Sequence, residues 1–367
     1  MRDDVTEALE PMTNALLRKL GPEVDLIFRY GSTLKGTTHV YSDLDVSYVP
    51  VHESTGDSIT VLVADVLIDL YPIHWSQLES MADFENVSAS VLLENQLIYH
   101  RNEAVVDRLR SLASKLRSNL EPSARAPMLQ TAQRLFQRIG YDFYLLREQA
   151  AAGHRLSCLY QASKITRAVF HCLAACNQAC VDTRRVDRVL ALPKLPVDFA
   201  TTVQSISNAT QPQEILGACE RLMSSTRALL LREQRSMPAG DATFPSVFRA
   251  AYPELKGSIQ HAKLASDRGD RLDPSLVSLY HEVMVHMAQA TTGVSYGSFS
   301  PIADYEQDLT ALGFPDLMGA FVAGDPKPLG EPCDVFDERL KEYLQQHGVG
   351  LNAFGSVEDL RTHLETD

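Results

Sequence analysis

A chain of 367 residues exceeds what one compact core accommodates, so two or three domains are expected. With 45% hydrophobic and 22% charged residues it has the composition of a folded globular protein, and no apolar run approaches the length of a membrane span. Its 47 acidic residues against 34 basic ones give a net charge of −13, which argues against a diffuse grip on a nucleic-acid backbone and suits a cationic small molecule better.

In chain order, residues 1–103 read as a mixed α/β domain. The helical stretch "TEALEPMTNALLRKL" stops at Gly21, and "VDLIFRYG" comes next as a buried strand ended by Gly31. "LDVSYVP" is a second strand, closed by Pro50. Ser54 reads as the N-cap of a helix through "DSITVLVA", and "VLIDLYPI" as a third strand. A helix around "SVLLENQ" and a final strand, "LIYHR", complete the domain. The acidic start, "MRDDVTEALEP", lacks the order of a secretory signal, so a cytoplasmic location is expected.

Residues 104–240 carry helical periodicity almost throughout and read as a helical bundle, with breaks at Pro122, Pro127, Pro193, Pro196 and Pro212. In its first long helix, Leu135, Ile139, Phe143 and Leu146 make an apolar face, with Asp142 at its edge and Glu148 on the far side. A carboxylate there could bind a cationic acceptor or deprotonate it, or pair with an arginine. Cys172, Cys176 and Cys180 recur every four residues and read as small apolar packing residues along one helical stripe. The turn-rich "QRSMPAGDATFP" marks a second boundary. Residues 241–367 form a C-terminal helical extension, in which His281 and His286 stand five apart and miss the zinc-protease spacing of four.

The stretch that carries chemistry is "RYGSTLKGTTHVYSDLDVSYV", residues 29–49. Glycine at position 31 lets the backbone turn sharply and approach a ligand closely, and Ser32 with the next amides offers donors for phosphate oxygens. Asp43 and Asp45 share one face of the next strand, because side chains alternate with period two. Two like charges so placed suit a hard divalent cation, and Mg2+ is commonly held by a few carboxylates plus substrate phosphates. Asp69, a lone acid in an apolar strand, is the third carboxylate expected beside them. Lys35 could add positive charge near the phosphates or be a solvated loop residue, and Arg29 could face phosphate or pair with an acid.

Gly31, Ser32, Asp43, Asp45 and Asp69 resemble the nucleotidyltransferase superfamily, whose members carry Gly-Ser, then Asp-x-Asp, then a third acid on a later strand. The plan of a small catalytic domain and then a helical bundle further resembles the aminoglycoside (antibiotic) nucleotidyltransferases. The resemblance implies a mixed-sheet nucleotidyltransferase domain followed by predominantly α-helical domains. It implies an Mg2+-dependent transferase, using two ions, that moves a nucleoside monophosphate from ATP or another nucleoside triphosphate to a small-molecule hydroxyl. Gly31 and Ser32 would hold the β- and γ-phosphates, beside which Lys35 is the candidate cation; Asp43 and Asp45 would bind the ions, and Asp69 would be either a ligand of the second ion or the general base. Apart from the resemblance, Asp142 is the next candidate for that base. An antibiotic or other amine-bearing acceptor is the preferred class, and the protein is expected to work as a monomer or homodimer without membrane or nucleic acid. The same stretch also resembles the protein-modifying adenylyl- and uridylyltransferases, so a protein or tRNA acceptor, or a fold kept without turnover, are the alternatives.

Overall fold

The computed structural model describes residues 9–31, 34, 43–53, 58–63, 66–86, 88–237, 243–249, 251–270, 275–292, 309–317 and 329–366. The chain forms two compact units, residues 1–230 and 231–367, dividing within one long helix. An α/β domain is followed by helices, as the patterning predicts.

The first unit opens with α1 (Leu9–Leu20), β1 (Val24–Tyr30), β2 (Leu44–Pro50), β3 (Ile59–Val63) and β4 (Val66–Pro72). Then come α2 (Trp75–Ala82), the single turn α3 (Ser90–Leu93) and β5 (Asn95–His100). The five strands form one sheet in the order β3-β4-β2-β1-β5, in which β2 and β4 run parallel and the other neighbours antiparallel. One face is apolar: Ile27, Leu44, Val46, Tyr48, Ile68 and Leu70 pack with Leu16 of α1 into a buried cluster. The sequence pattern dictates this, since these residues occupy alternate positions of three strands. The other face is buried at Leu26, Phe28 and Val49 but opens toward Tyr30 and Asp45 at the end where β2 begins.

The helix expected over "DSITVLVA" is not formed: Ile59–Val63 is the edge strand β3. Ile59, Thr60, Val61 and Val63 are all branched at Cβ, and pairing with β4 supplies the partners that an isolated run lacks. Ser54 lies outside the described residues.

A buried polar knot ties β1 to α2 and to the residue after β5. Asp25 is 5% exposed; it accepts a hydrogen bond from Trp75 Nε1 at 2.8 Å and pairs with Arg101 at 2.8 Å. Arg108 lies over the Trp75 ring, 4.2 Å from its centroid. Replacing Asp25 by alanine strands both donors, and a loss of about 3 kcal/mol in urea denaturation is expected. A loss under about 1 kcal/mol would show that the knot exerts no net hold.

The helical part of this unit comprises α4 (Glu103–Asn119), α5 (Arg125–Gln137), α6 (Gly140–Ala151), α7 (Arg155–Cys176), α8 (Val186–Leu190), α9 (Phe199–Asn208) and α10 (Pro212–Arg235). The expected first long helix is interrupted at Arg138–Ile139, next to Gly140, whose helix propensity is poor. The core of these helices includes Leu146, Ile165, Val169, Leu173, Ile215 and Leu222. Cys172 and Cys176 are buried on α7, whereas Cys180 lies beyond the helix end and off the predicted stripe.

The second unit contains α11 (Phe244–Val247), α12 (Ala251–Asp267), α13 (Ser275–Thr292), α14 (Gly330–Gln346) and α15 (Val357–Thr366). Tyr280, Phe314 and Phe336 pack together in its core. Asp337, 5% exposed by its side chain, is held by Lys256, Lys341 and Tyr252. His286 bonds the Glu282 carbonyl and packs on Phe248. Among the described residues, no helix of the chain is long and apolar enough to cross a membrane.

Candidate active site

Strand register assembles the site. Asp45 of β2 stands opposite Asp69 of the parallel strand β4 and opposite Tyr30 of β1, and Asp69 stands opposite Thr60 of β3. Residues paired across a sheet point to the same side, so Thr60, Asp69, Asp45 and Tyr30 form one row on the open face. Neighbouring strands lie about 4.8 Å apart, which brings the two carboxyl groups onto adjacent positions of that row.

Gly31 closes the row. Its φ of +89° is one that glycine adopts without penalty. A Cβ at this position would come 2.4 Å from Asp45 Oδ2, so the glycine gives room to the carboxylate as well as to the turn. Asp43 is exposed and stands just before β2, two residues along from Asp45.

The electrostatics result from this crowding. Partial burial pushes the Asp45 carboxyl up from 3.8 to about 6; Asp43 and Asp69 add to the rise, and Arg184 opposes it. Thr60 Oγ1 donates to Asp69 Oδ1 at 2.8 Å and fixes that carboxylate, leaving Asp69 Oδ2 free of the threonine. Beyond the acids, Tyr30 and Tyr71 meet edge-on across β2, with ring centroids 6.4 Å apart and hydroxyls in contact. Burial raises the Tyr71 hydroxyl, which Arg184 lowers in turn.

Two members of this site escape sequence reasoning. Thr60 sits in the stretch that reads as a helix. Arg184 lies beyond α7, more than 100 residues after the acids, and its charge acts on Asp45, Asp43 and Tyr71. Asp182 holds it in place, accepting from Nε at 3.0 Å and from Nη2 at 3.2 Å. These hydrogen bonds, with the charges of Asp45 and Asp43, push the guanidinium further up.

Other expectations fall elsewhere. Ser32 and Lys35 lie outside the described residues. Arg29 belongs to the apolar face, opposite Val46, and its Nε donates to Gln96 Oε1 at 2.7 Å. Asp142 is ion-paired with Lys164 of α7, and Glu148 is exposed.

The donor set fits a divalent cation that brings part of its own coordination. Among the described residues, no group of three or more His, Cys, Asp or Glu side chains is gathered closely enough to form a finished cage. Asp45 and Asp69 in register, with the Asp45 proton affinity raised by burial and like charge, nevertheless suit an Mg2+ ion that takes its remaining oxygens from phosphates and water.

No family model matches the chain, and no curated protein matches it. Among solved structures, the chain is similar to a nucleotidyltransferase-like protein from Exiguobacterium sibiricum, at 14% identity and a TM-score of 0.38, over 62% of this chain and 78% of that one.

Proposed function

We propose that this chain is a metal-dependent nucleotidyltransferase that transfers a nucleoside monophosphate, from ATP in the first instance, to a hydroxyl of a small molecule. The observation that carries the reading is the in-register pair Asp45 and Asp69 beside the Gly31 turn. Asp45 and Asp69 would hold the Mg2+, with Asp43 adding negative charge from the strand entrance. When bound, that cation neutralises phosphate charge and helps align the displaced and attacking oxygens.

The chain's own residues would do the rest. Backbone at Gly31 and Ser32, with Lys35, would receive the β- and γ-phosphates. Asp69, oriented by Thr60, would take the proton of the acceptor hydroxyl; Asp142, already engaged by Lys164, is the weaker base. The acceptor oxygen forms a bond to the α-phosphorus, the bond from that phosphorus to the bridging oxygen breaks, and pyrophosphate leaves with the electron pair.

Incubation with α-labelled ATP, Mg2+ and a panel of hydroxylated small molecules tests this. Label on an acceptor, with one pyrophosphate per transfer, is the expected result. Absence of both label and pyrophosphate across small-molecule and macromolecular acceptors would end the reading.

Thr60 acts through Asp69 as a positioning residue. Thr60→Val forfeits a hydrogen bond of about 1 kcal/mol, so kcat is expected to fall about fivefold with KM little changed, and Thr60→Ser should restore the rate. Equal rates for the valine variant and wild type would remove Thr60 from the mechanism.

A further inference from the structure

A cavity of about 300 Å3 lies among α7, α9 and the Thr183–Val186 segment. This is the lower end of the range for small-molecule sites. Leu159, Phe170, Val203 and Ile206 give it an apolar wall, and Ser163, Thr166 and Ser207 contribute hydroxyls. The Thr166 hydroxyl oxygen is buried without a hydrogen-bond partner, an open donor and acceptor beside the cavity.

Its charge is the opposite of the chain's. Arg167 and Arg184 both line it, and among the described residues no aspartate or glutamate does. Asp182 engages Arg184 through Nε and one Nη2 proton; of the five N–H donors a guanidinium carries, the others remain for a ligand. Arg167 has no hydrogen bond or ion pair among the described residues. In a chain of net charge −13, two arginines over an apolar wall select against a polyamine and for an anion with an apolar body.

Arg184 lines the cavity, and its charge also acts on Asp45 and Asp43. We infer that this cavity holds the acceptor, and that the acceptor is a hydroxylated organic acid with an apolar body, its carboxylate or phosphate on Arg167 and Arg184. The acceptor role rests on reading the acids as a nucleotidyl-transfer centre; the preference for an anion does not.

The test has two arms. In the first, 3-(4-hydroxyphenyl)propionate, its neutral amide and the amine tyramine are titrated by ligand-observed NMR without metal or triphosphate. The carboxylate is expected to bind at least tenfold tighter than the amide, with tyramine the weakest. Arg167→Ala and Arg184→Ala should each cost the carboxylate about fivefold or more and leave the amide unchanged, at an unchanged melting temperature. Equal binding of the three probes, a preference for tyramine, or indifference to both substitutions overturns the inference. In the second arm, hydroxy acids and hydroxy amines compete for label from α-labelled ATP. Label on the amines alone sinks the acceptor assignment while leaving nucleotidyl transfer standing. If no label moves, the transfer reading and the acceptor role fail together, and the NMR arm still decides whether the cavity takes an anion.

Discussion

Asp45→Asn is expected to lower nucleotidyl transfer at least a thousandfold while making the metal-free protein more stable. Both halves stem from the position of the carboxylate. Set in register with Asp69 and two residues from Asp43, it sits in a field of like charge that Arg184 offsets only in part. Asparagine keeps the shape and removes the charge, so the proposed cation and triphosphate would lose their principal holder. Without metal, the raised pKa means that the fold binds the Asp45 proton more tightly than the unfolded chain does. Stability from this group is therefore intact below 3.8, declines as the pH rises from 3.8 through about 6, and stays diminished at pH 7.5. A full shift of that size corresponds to about 3 kcal/mol, and screening by water at this open end of the sheet leaves about 2 kcal/mol. Urea denaturation of wild type and variant with EDTA at pH 7.5 and at pH 3.5 measures it: the variant should gain at the higher pH and lose the advantage at the lower. Added Mg2+ should then narrow the difference by stabilising wild type alone. A variant that unfolds more easily than wild type at pH 7.5, or transfers at a normal rate, contradicts the metal-site reading.

The second large effect is expected from Gly31→Ala. A side chain there meets two obstacles at once. The backbone is in a region that disfavours L-residues by about 1–2 kcal/mol, and the new methyl group would lie 2.4 Å from Asp45 Oδ2. The carboxylate must swing aside, and with it one support of the transferred group, so a loss of about a hundredfold in kcat accompanies about 2 kcal/mol of stability. Gly31→Asn separates the two causes, because asparagine tolerates the backbone conformation better but still carries a Cβ. It should recover stability and not rate; recovery of both would show that the close approach to Asp45 is immaterial.

Much of the sheet is legible in the sequence, for a local reason. The strands around "VDLIFRY", "LDVSYVP" and "VLIDLYP" announce themselves by apolar runs ended at glycine or proline, and period two alone predicts that the aspartates at 43 and 45 share a side. Placing Asp69 beside Asp45 requires β4 to neighbour β2, which a lone acid in an apolar run suggests. The features that escape are either ambiguous or distant. "DSITVLVA" is short enough to satisfy helix and strand templates alike, and only its pairing with β4 decides for the strand. Taken as a helix, that run gives Thr60 no path to Asp69. Asp142 has a plausible edge position, yet its partner Lys164 lies on another helix, one full connection away. Arg184 belongs to a loop whose sequence carries no motif, and no local pattern encodes the action of its charge on Asp45.

The meeting of Tyr30 and Tyr71 over β2 has a consequence for traffic. Two rings leaning together from the flanking strands make an end wall, closing the strand between Asp45 and the buried Ser47. Among the described residues, the rings screen the carboxylates on the side of Ser47, and the exposed Asp43 marks the opposite, open side. Swapping Tyr71 for a smaller residue would open a back door, through which water could compete with the intended recipient.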